Sequence, residues 1–194
     1  NTYPHRALRL SPSQVGYRHI YVHVPFCGRR CSYCDFSISV RKVVPVARFN
    51  DAIMAELATR AISPSQHDVR SIYLGGGTPS KLDGAGVENL VSRLMQHFGV
   101  EKSATDSGAV EVTIEANPED VSPEAATRWR AAGVNRVSLG VQSFDPAVLA
   151  WTHREHGAEK PGQALDILRS SGIDDVSVDL IFALPGHLSR SWSA

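Results

Sequence analysis

Tyr21 to Phe36 reads YVHVPFCGRRCSYCDF, and this one stretch holds every cysteine of the chain: Cys27, Cys31 and Cys34. The β-branched and aromatic alternation before it predicts a strand over residues 19–24, so the thiols stand on the loop at a strand's carboxyl end. An odd, clustered set of thiols cannot be a disulfide framework, and in a reducing compartment it reads as a metal site. Gly28 lets the loop wrap, and Arg29 and Arg30 offset thiolate charge. Three ligands spaced C-x3-C-x2-C suit a [4Fe-4S] cluster that leaves one iron without a protein ligand, the open position that metal catalysis requires. A structural zinc site competes with this reading. It would need a fourth ligand, from His23 or a distant histidine, and more usually employs C-x2-C knuckles. Unrelated buried thiols are the third possibility.

Outward from this loop the pattern alternates between short β-branched runs and longer amphipathic segments, the signature of βα units on a parallel sheet. Strands are expected at residues 19–24, 71–76, 110–116, 136–141 and 175–182, and helices at about 44–61, 86–97, 123–132 and 159–170. Ser122 before Pro123 reads as an N-cap, and Gly133 and Gly172 as helix stops. Such a sheet either closes toward a barrel or opens into a doubly wound fold, and periodicity does not choose. Either way the chemistry belongs at the carboxyl ends of strands, where the unusual residues fall.

After the second strand comes GGGTPS, Gly75 to Ser80. It is either a plain strand-to-helix turn or a backbone cradle whose N–H groups take a ligand, and it fits neither the dinucleotide nor the P-loop pattern. A doubly wound domain binding NAD or ATP would also want an acidic residue about 20 positions later, after a second strand, which is absent. Glu115 ends the third strand as a capping, solvated or ligand-binding carboxylate. Gln142, with Phe144 nearby, offers a neutral amide suited to ribose hydroxyls at the fourth. Asp179 interrupts the apolar run VSVDLIF, where a carboxylate needs a partner. Arg154 is a surface arginine or an anion fork, and His153 and His156 are solvent-facing or a ligand pair.

YVHVPFCGRRCSYCDF resembles the radical S-adenosylmethionine (SAM) enzymes, in particular the branch of oxygen-independent coproporphyrinogen III dehydrogenases and haem chaperones. The similarity runs from about Tyr21 to the C-terminus. It implies an α/β fold, a partial (βα) barrel with about five of six units present. It also implies that Cys27, Cys31 and Cys34 ligate a [4Fe-4S] cluster whose free iron is chelated by SAM, cleaved there to a 5′-deoxyadenosyl radical. Gly76, Gly77 and Thr78 match the segment lying against the methionyl end of SAM. Glu115 matches a cofactor-contacting glutamate, Arg154 the arginine that holds the SAM carboxylate, and Tyr21 and Tyr33 aromatic positions lining cluster and cofactor. Gln142 and Asp179 complete the expected SAM contacts.

Within the branch, dehydrogenases usually carry a further cysteine two positions after the motif, whereas here Asp35 and Phe36 follow Cys34. That favours a haem chaperone, binding haem or porphyrin and serving a haem-acceptor protein, over oxidative decarboxylation of coproporphyrinogen III; a haem-directed methyltransferase or ring-opening enzyme is a further sibling. A flavodoxin or ferredoxin is the implied reductant. Residues 1–17 are polar and basic without clear periodicity and read as a leader or a trimmed start, and the resemblance implies a core over 18–194. That core would stop before the last barrel strand and the C-terminal domain, leaving the fifth strand with an exposed apolar edge. Ala183, in FALPG, stands where relatives carry glycine.

The chain's 194 residues suffice for one domain. Its 20 basic and 20 acidic residues cancel, which argues against nucleic acid as a partner. No apolar run approaches the roughly 20 residues of a membrane helix, no secretion signal is evident, and a cytoplasmic location is expected.

Overall fold

The computed structural model describes residues 17–60 and 68–188. The leader expected over residues 1–17 therefore lies, Tyr17 aside, outside the described residues. Five strands form one sheet: β1 His19–Val24, then, after the two-residue strands β2 Phe26–Cys27 and β3 Ser39–Val40, β4 Ser71–Gly76, β5 Glu111–Ala116, β6 Arg136–Gln142 and β7 Asp175–Leu180. The order in the sheet is β1-β4-β5-β6-β7, every pair parallel. Each long strand lies beside the next one in sequence, so the direction of winding never reverses. A doubly wound sheet must reverse at a switch point. With right-handed crossovers, constant direction keeps all helices on one face and curls the sheet toward a barrel.

The helices are α1 Val46–Thr59, α2 Asp83–Phe98, α3 Lys102–Asp106, α4 Pro123–Ala132, α5 Pro146–Trp151 and α6 Lys160–Ser170. α2 packs on both α1 and α4, and α4 on α6, so they form one layer. α4 has the predicted bounds because its ends are chemically marked. Ser122 Oγ accepts from Ala125 N at 3.1 Å, Pro123 fills the first turn, and Gly133 turns left-handed at φ +112°. α2 begins at Asp83, three residues before the expected start, because Asp83 Oδ1 accepts from Gly86 N and holds a first turn that reads as loop. α6 is capped by Ser171, with Gly172 one position beyond. No helix among the described residues is long and apolar enough to cross a membrane.

Strand alternation builds the two faces. Ile72, Leu74, Val112, Ile114, Val137, Leu139 and Val141 face the helices and pack with Leu90, Leu94, Trp129 and Leu168, all essentially inaccessible. The intervening residues, Tyr73, Thr113, Glu115, Ser138, Ser177 and Asp179, line the opposite, concave face. A parallel sheet covered on both sides would be apolar on both; this one is polar inside because its second face borders a lumen. β7 is an edge among the described residues, and its Val178 and Leu180, with Phe182 beyond, are exposed. Ala183 adopts φ +56°, a left-handed backbone that costs an alanine roughly 1 kcal/mol and a glycine nothing.

Candidate functional site

The carboxyl end of the sheet carries the cysteine loop. Cys27 closes β2, which pairs with β3 so that Cys27 opposes Val40. Ser39 N donates to Pro25 O at 2.7 Å and Arg41 N to Cys27 O at 2.9 Å. Cys34 N donates to Cys31 O at 3.1 Å, folding the second and third thiols together. The end of α5 and the loop after it clasp the far side, through Ser32 Oγ to Trp151 O at 2.8 Å and the Arg29–Glu155 ion pair at 2.5 Å. All three thiols are free. Burial pushes the Cys27 thiol pKa up, opposed by the hydrogen bond from Thr78 Oγ1 at 3.4 Å and by the Arg154 charge, while Cys34 and Cys31 add to the rise. Tyr33, beside Cys31, is pushed up to about 12 by burial, against the pull of Arg154.

The triple-glycine turn sits against this loop. A Cβ on Gly77 would lie 2.9 Å from Phe26 O and Pro25 C, and one on Gly76, at φ +112°, 2.5 Å from His23 Nδ1. The expectation of spare N–H groups here is corrected: Gly76 N donates to Glu115 Oε2 at 3.0 Å, Gly77 N to Val24 O and Thr78 N to Phe26 O at 2.8 Å. These amides hold strand tips together. The turn's remaining capacity lies in carbonyl oxygens, which suit an ammonium rather than a carboxylate. Glu115 is held from a second side by Tyr73 OH at 2.8 Å.

Arg154 reaches across the rim, its Nη2 donating to Asn117 Oδ1 at 2.7 Å and Gly140 O at 2.5 Å, while its Nε is buried without a partner. Asp179 accepts from Ser138 Oγ at 3.2 Å on both oxygens. It is exposed to the lumen, which corrects the view of it as an acid inside an apolar run. Gln142 and His153 hold left-handed backbones, φ +67° and +58°, strain of the kind that collects at functional sites.

These parts share one cleft of about 340 Å³, lined by Cys27, Cys31, Cys34, Tyr33, Gly76, Gly77, Thr78, Glu115, Gln142, Arg154 and Asp179. The volume lies within the range of small-molecule sites. Of the expected residues only Tyr21 stands outside it, stacked on Tyr73 at 6.0 Å further along the inner face. Phe144 is exposed and also off the lining. The sequence reading missed Lys81, Asn117 and Glu119, which line the cleft; all three lie in rim turns, the one signal that could have flagged them. Lys81 Nζ is bound to Asp120 Oδ1 at 2.6 Å.

The histidines do not form a ligand pair. His156 is buried, with Nε2 3.1 Å from Val141 O and Nδ1 3.2 Å from Glu119 Oε2. His23 is equally committed, Nε2 to Ser37 O at 2.9 Å and Nδ1 to Tyr21 OH at 3.4 Å, so it is not poised as a fourth zinc ligand. Among the described residues no three His, Cys, Asp or Glu side chains converge to hold a single metal ion.

Glu119 carries a pH prediction. Burial pushes its pKa up, but the His156 hydrogen bond, its own backbone and the Arg154 charge outweigh that and hold it below the ordinary 4.5. A lowered carboxylate contributes stability that is present above its unfolded value and lost as pH falls through the folded one. Glu119→Gln is expected to cost about 1 kcal/mol in urea unfolding at pH 7. The deficit should shrink below about pH 4.5; an unchanged deficit at pH 3 would refute the assignment.

A sequence model of the radical SAM superfamily matches residues 21–191. Among curated proteins, the chain is 39% identical over 171 residues to a heme chaperone, HemW, of Mycobacterium tuberculosis, covering 87% of this chain and 42% of that protein. It is 35% identical to Bacillus subtilis HemW, covering 88% and 45%. The chain thus spans less than half the length of these relatives. Among solved structures, the Escherichia coli coproporphyrinogen III oxidase HemN, a radical SAM enzyme, superposes with a TM-score of 0.77 at 29% identity, covering 90% of this chain and 39% of that one. A cobalamin-bound radical SAM methyltransferase, TsrM of Kitasatospora setae, shares the fold at TM-score 0.55 and 19% identity.

Proposed function

The chain belongs to the radical SAM superfamily, and from that premise we propose that it binds a [4Fe-4S] cluster through Cys27, Cys31 and Cys34 and SAM in the adjoining cleft, in a haem chaperone. The observation that carries this reading is that three free thiols, a glycine turn with no room for a side chain, and an arginine with an unpartnered buried Nε all line one cleft. Each of these fits the group expected there. Thiolates are the ligands of iron-sulfur clusters, the turn admits close backbone approach, and Arg154 Nε is a donor awaiting an anion such as the SAM carboxylate.

When bound, the cluster supplies one electron to the SAM sulfonium. The protein's own groups do the positioning. Thr78 Oγ1 donates toward Cys27 Sγ and favours the thiolate over the thiol. Glu115, braced by Tyr73 and Gly76, holds a carboxylate where the ribose hydroxyls or the ammonium of SAM would be recognised. Gln142 and Asp179 face the same space from β6 and β7. Haem or porphyrin as cargo, a haem-acceptor protein and a flavodoxin-like or ferredoxin-like reductant follow from the chaperone reading.

Support for chaperone over dehydrogenase comes from the 30–39% identity to heme chaperones and from Asp35 and Phe36 after Cys34. Similarity to HemN favours coproporphyrinogen III decarboxylation as the second reading. Anaerobic iron and sulfide reconstitution followed by SAM and haem titration tests the proposal. Iron-sulfur absorption that shifts on adding SAM, with haem bound and no porphyrinogen decarboxylated, is the expected result. One tightly held zinc and indifference to SAM would sink it.

A further inference from the structure

Three hydrogen bonds leave residues 29–32 of the cysteine loop and land on residues 151–155, 119 to 126 positions away. Arg29 Nη2 donates to Glu155 Oε1 at 2.5 Å, Arg29 Nη1 to His153 O at 3.4 Å and Ser32 Oγ to Trp151 O at 2.8 Å. Arg29, expected to offset thiolate charge, directs its own at Glu155 instead. The two side chains are 50% and 43% exposed, and an ion pair that open to water adds little to stability. Its place matters more than its strength, because Arg29 grips the residues on either side of Arg154. His153, the first of them, holds φ +58°, a left-handed backbone that a β-carbon disfavours and surrounding contacts must maintain. Its carbonyl is the one Arg29 takes, its N–H is closed on Ala150 O at 3.1 Å, and that of Arg154 on Leu149 O at 2.9 Å. With the backbone fixed on both flanks, the Arg154 side chain is aimed across the cleft rim to Asn117 Oδ1 and Gly140 O, and its Nε is left without a partner.

We propose that Arg29 is a positioning residue: by holding Glu155 and His153 O on the two sides of Arg154, it aims that guanidinium at the carboxylate of SAM. The inference rests on the SAM reading above and adds to it a residue of the cysteine loop that acts without touching the ligand. A guanidinium fork meets a carboxylate within narrow limits of distance and angle, so a displacement of about 1 Å at Arg154 forfeits most of the contact. The fork and the metal-binding loop then share one clasp, and whatever orders residues 29–32 also sets the fork. A direct contact between Arg29 and the ligand would differ in one respect: it would act on SAM whether Arg154 is present or not.

The test uses the 194-residue chain reconstituted with iron and sulfide. Its affinity for SAM is compared with that for decarboxylated SAM, which keeps the sulfonium and ammonium and lacks the carboxylate. The wild-type chain is expected to prefer SAM at least about tenfold, as one charge-assisted contact would give. R29A should weaken SAM about fivefold or more and decarboxylated SAM less than about twofold. E155Q lies outside the cysteine loop and should do the same even if R29A disturbs iron uptake. It removes a negative charge from the rim, a change that by charge alone would tighten an anion. R29A added to R154A should cost nothing further, because Arg29 acts through Arg154. Tm should fall by no more than about 3 °C in either clasp variant, as for an exposed ion pair. Equal loss of SAM and decarboxylated SAM in R29A, no loss of either, a loss that adds to that of R154A, or unchanged or tighter SAM in E155Q overturns the proposal. A wild-type chain that takes up no iron, or that binds both compounds alike, sinks the SAM reading itself, and this is seen before any variant is compared.

Discussion

Replacing Cys31 or Cys34 by alanine is expected to reduce iron uptake from roughly four atoms per chain, the content of a [4Fe-4S] cluster, to background. The fold should survive, because both side chains are only partly buried and lie on a loop held independently by the β2–β3 pair, Ser32 and Arg29. Circular dichroism and Tm should therefore match the parent while the iron-sulfur absorption vanishes. Cys27→Ala removes a buried side chain as well as a ligand, so it would lose iron and also some stability. Retention of four irons by any of the three variants would show that the thiolates are not the cluster's ligands.

Gly77→Ala is the second large effect. Its Cβ would meet Phe26 O and Pro25 C and O, all backbone and all at 2.9 Å. Backbone cannot rotate away, so the turn must shift from the β1–β2 link that sets Cys27, carrying Thr78 N off Phe26 O. A loss of about 1–3 kcal/mol is expected from overpacking of this kind, with SAM affinity weakened at least tenfold. Gly162→Ala, in the first turn of α6 with nothing within 4 Å of the added methyl, should have the opposite sign, gaining a fraction of the roughly 1 kcal/mol by which alanine exceeds glycine in a helix interior. Equal SAM affinity in parent and Gly77→Ala would exclude the turn from the cofactor site.

Much of this was legible from residues a few positions apart. The C-x3-C-x2-C spacing is a local property, since eight residues converge on one loop whatever the rest does. The limits of α4 are likewise written in Ser122, Pro123 and Gly133, each acting within one turn. The long strands show because side chains alternate with period two on a sheet whose one face is core and the other lumen.

What lay beyond the sequence are facts of long-range pairing. The choice of barrel over doubly wound sheet is a matter of which strand lies beside which. The two-residue strands β2 and β3 are too short to leave a periodic trace, yet they bring Arg41 to Cys27. GGGTPS looks open to ligands as a peptide, but its amides are spent on Glu115, Val24 and Phe26, partners 39 to 53 positions away. Asp179 looks buried in its run, yet the alternation of β7, the edge strand among the described residues, turns it to the lumen. Local chemistry fixes which groups are available, and only the tertiary contacts decide which of them are already satisfied and which still face the cleft.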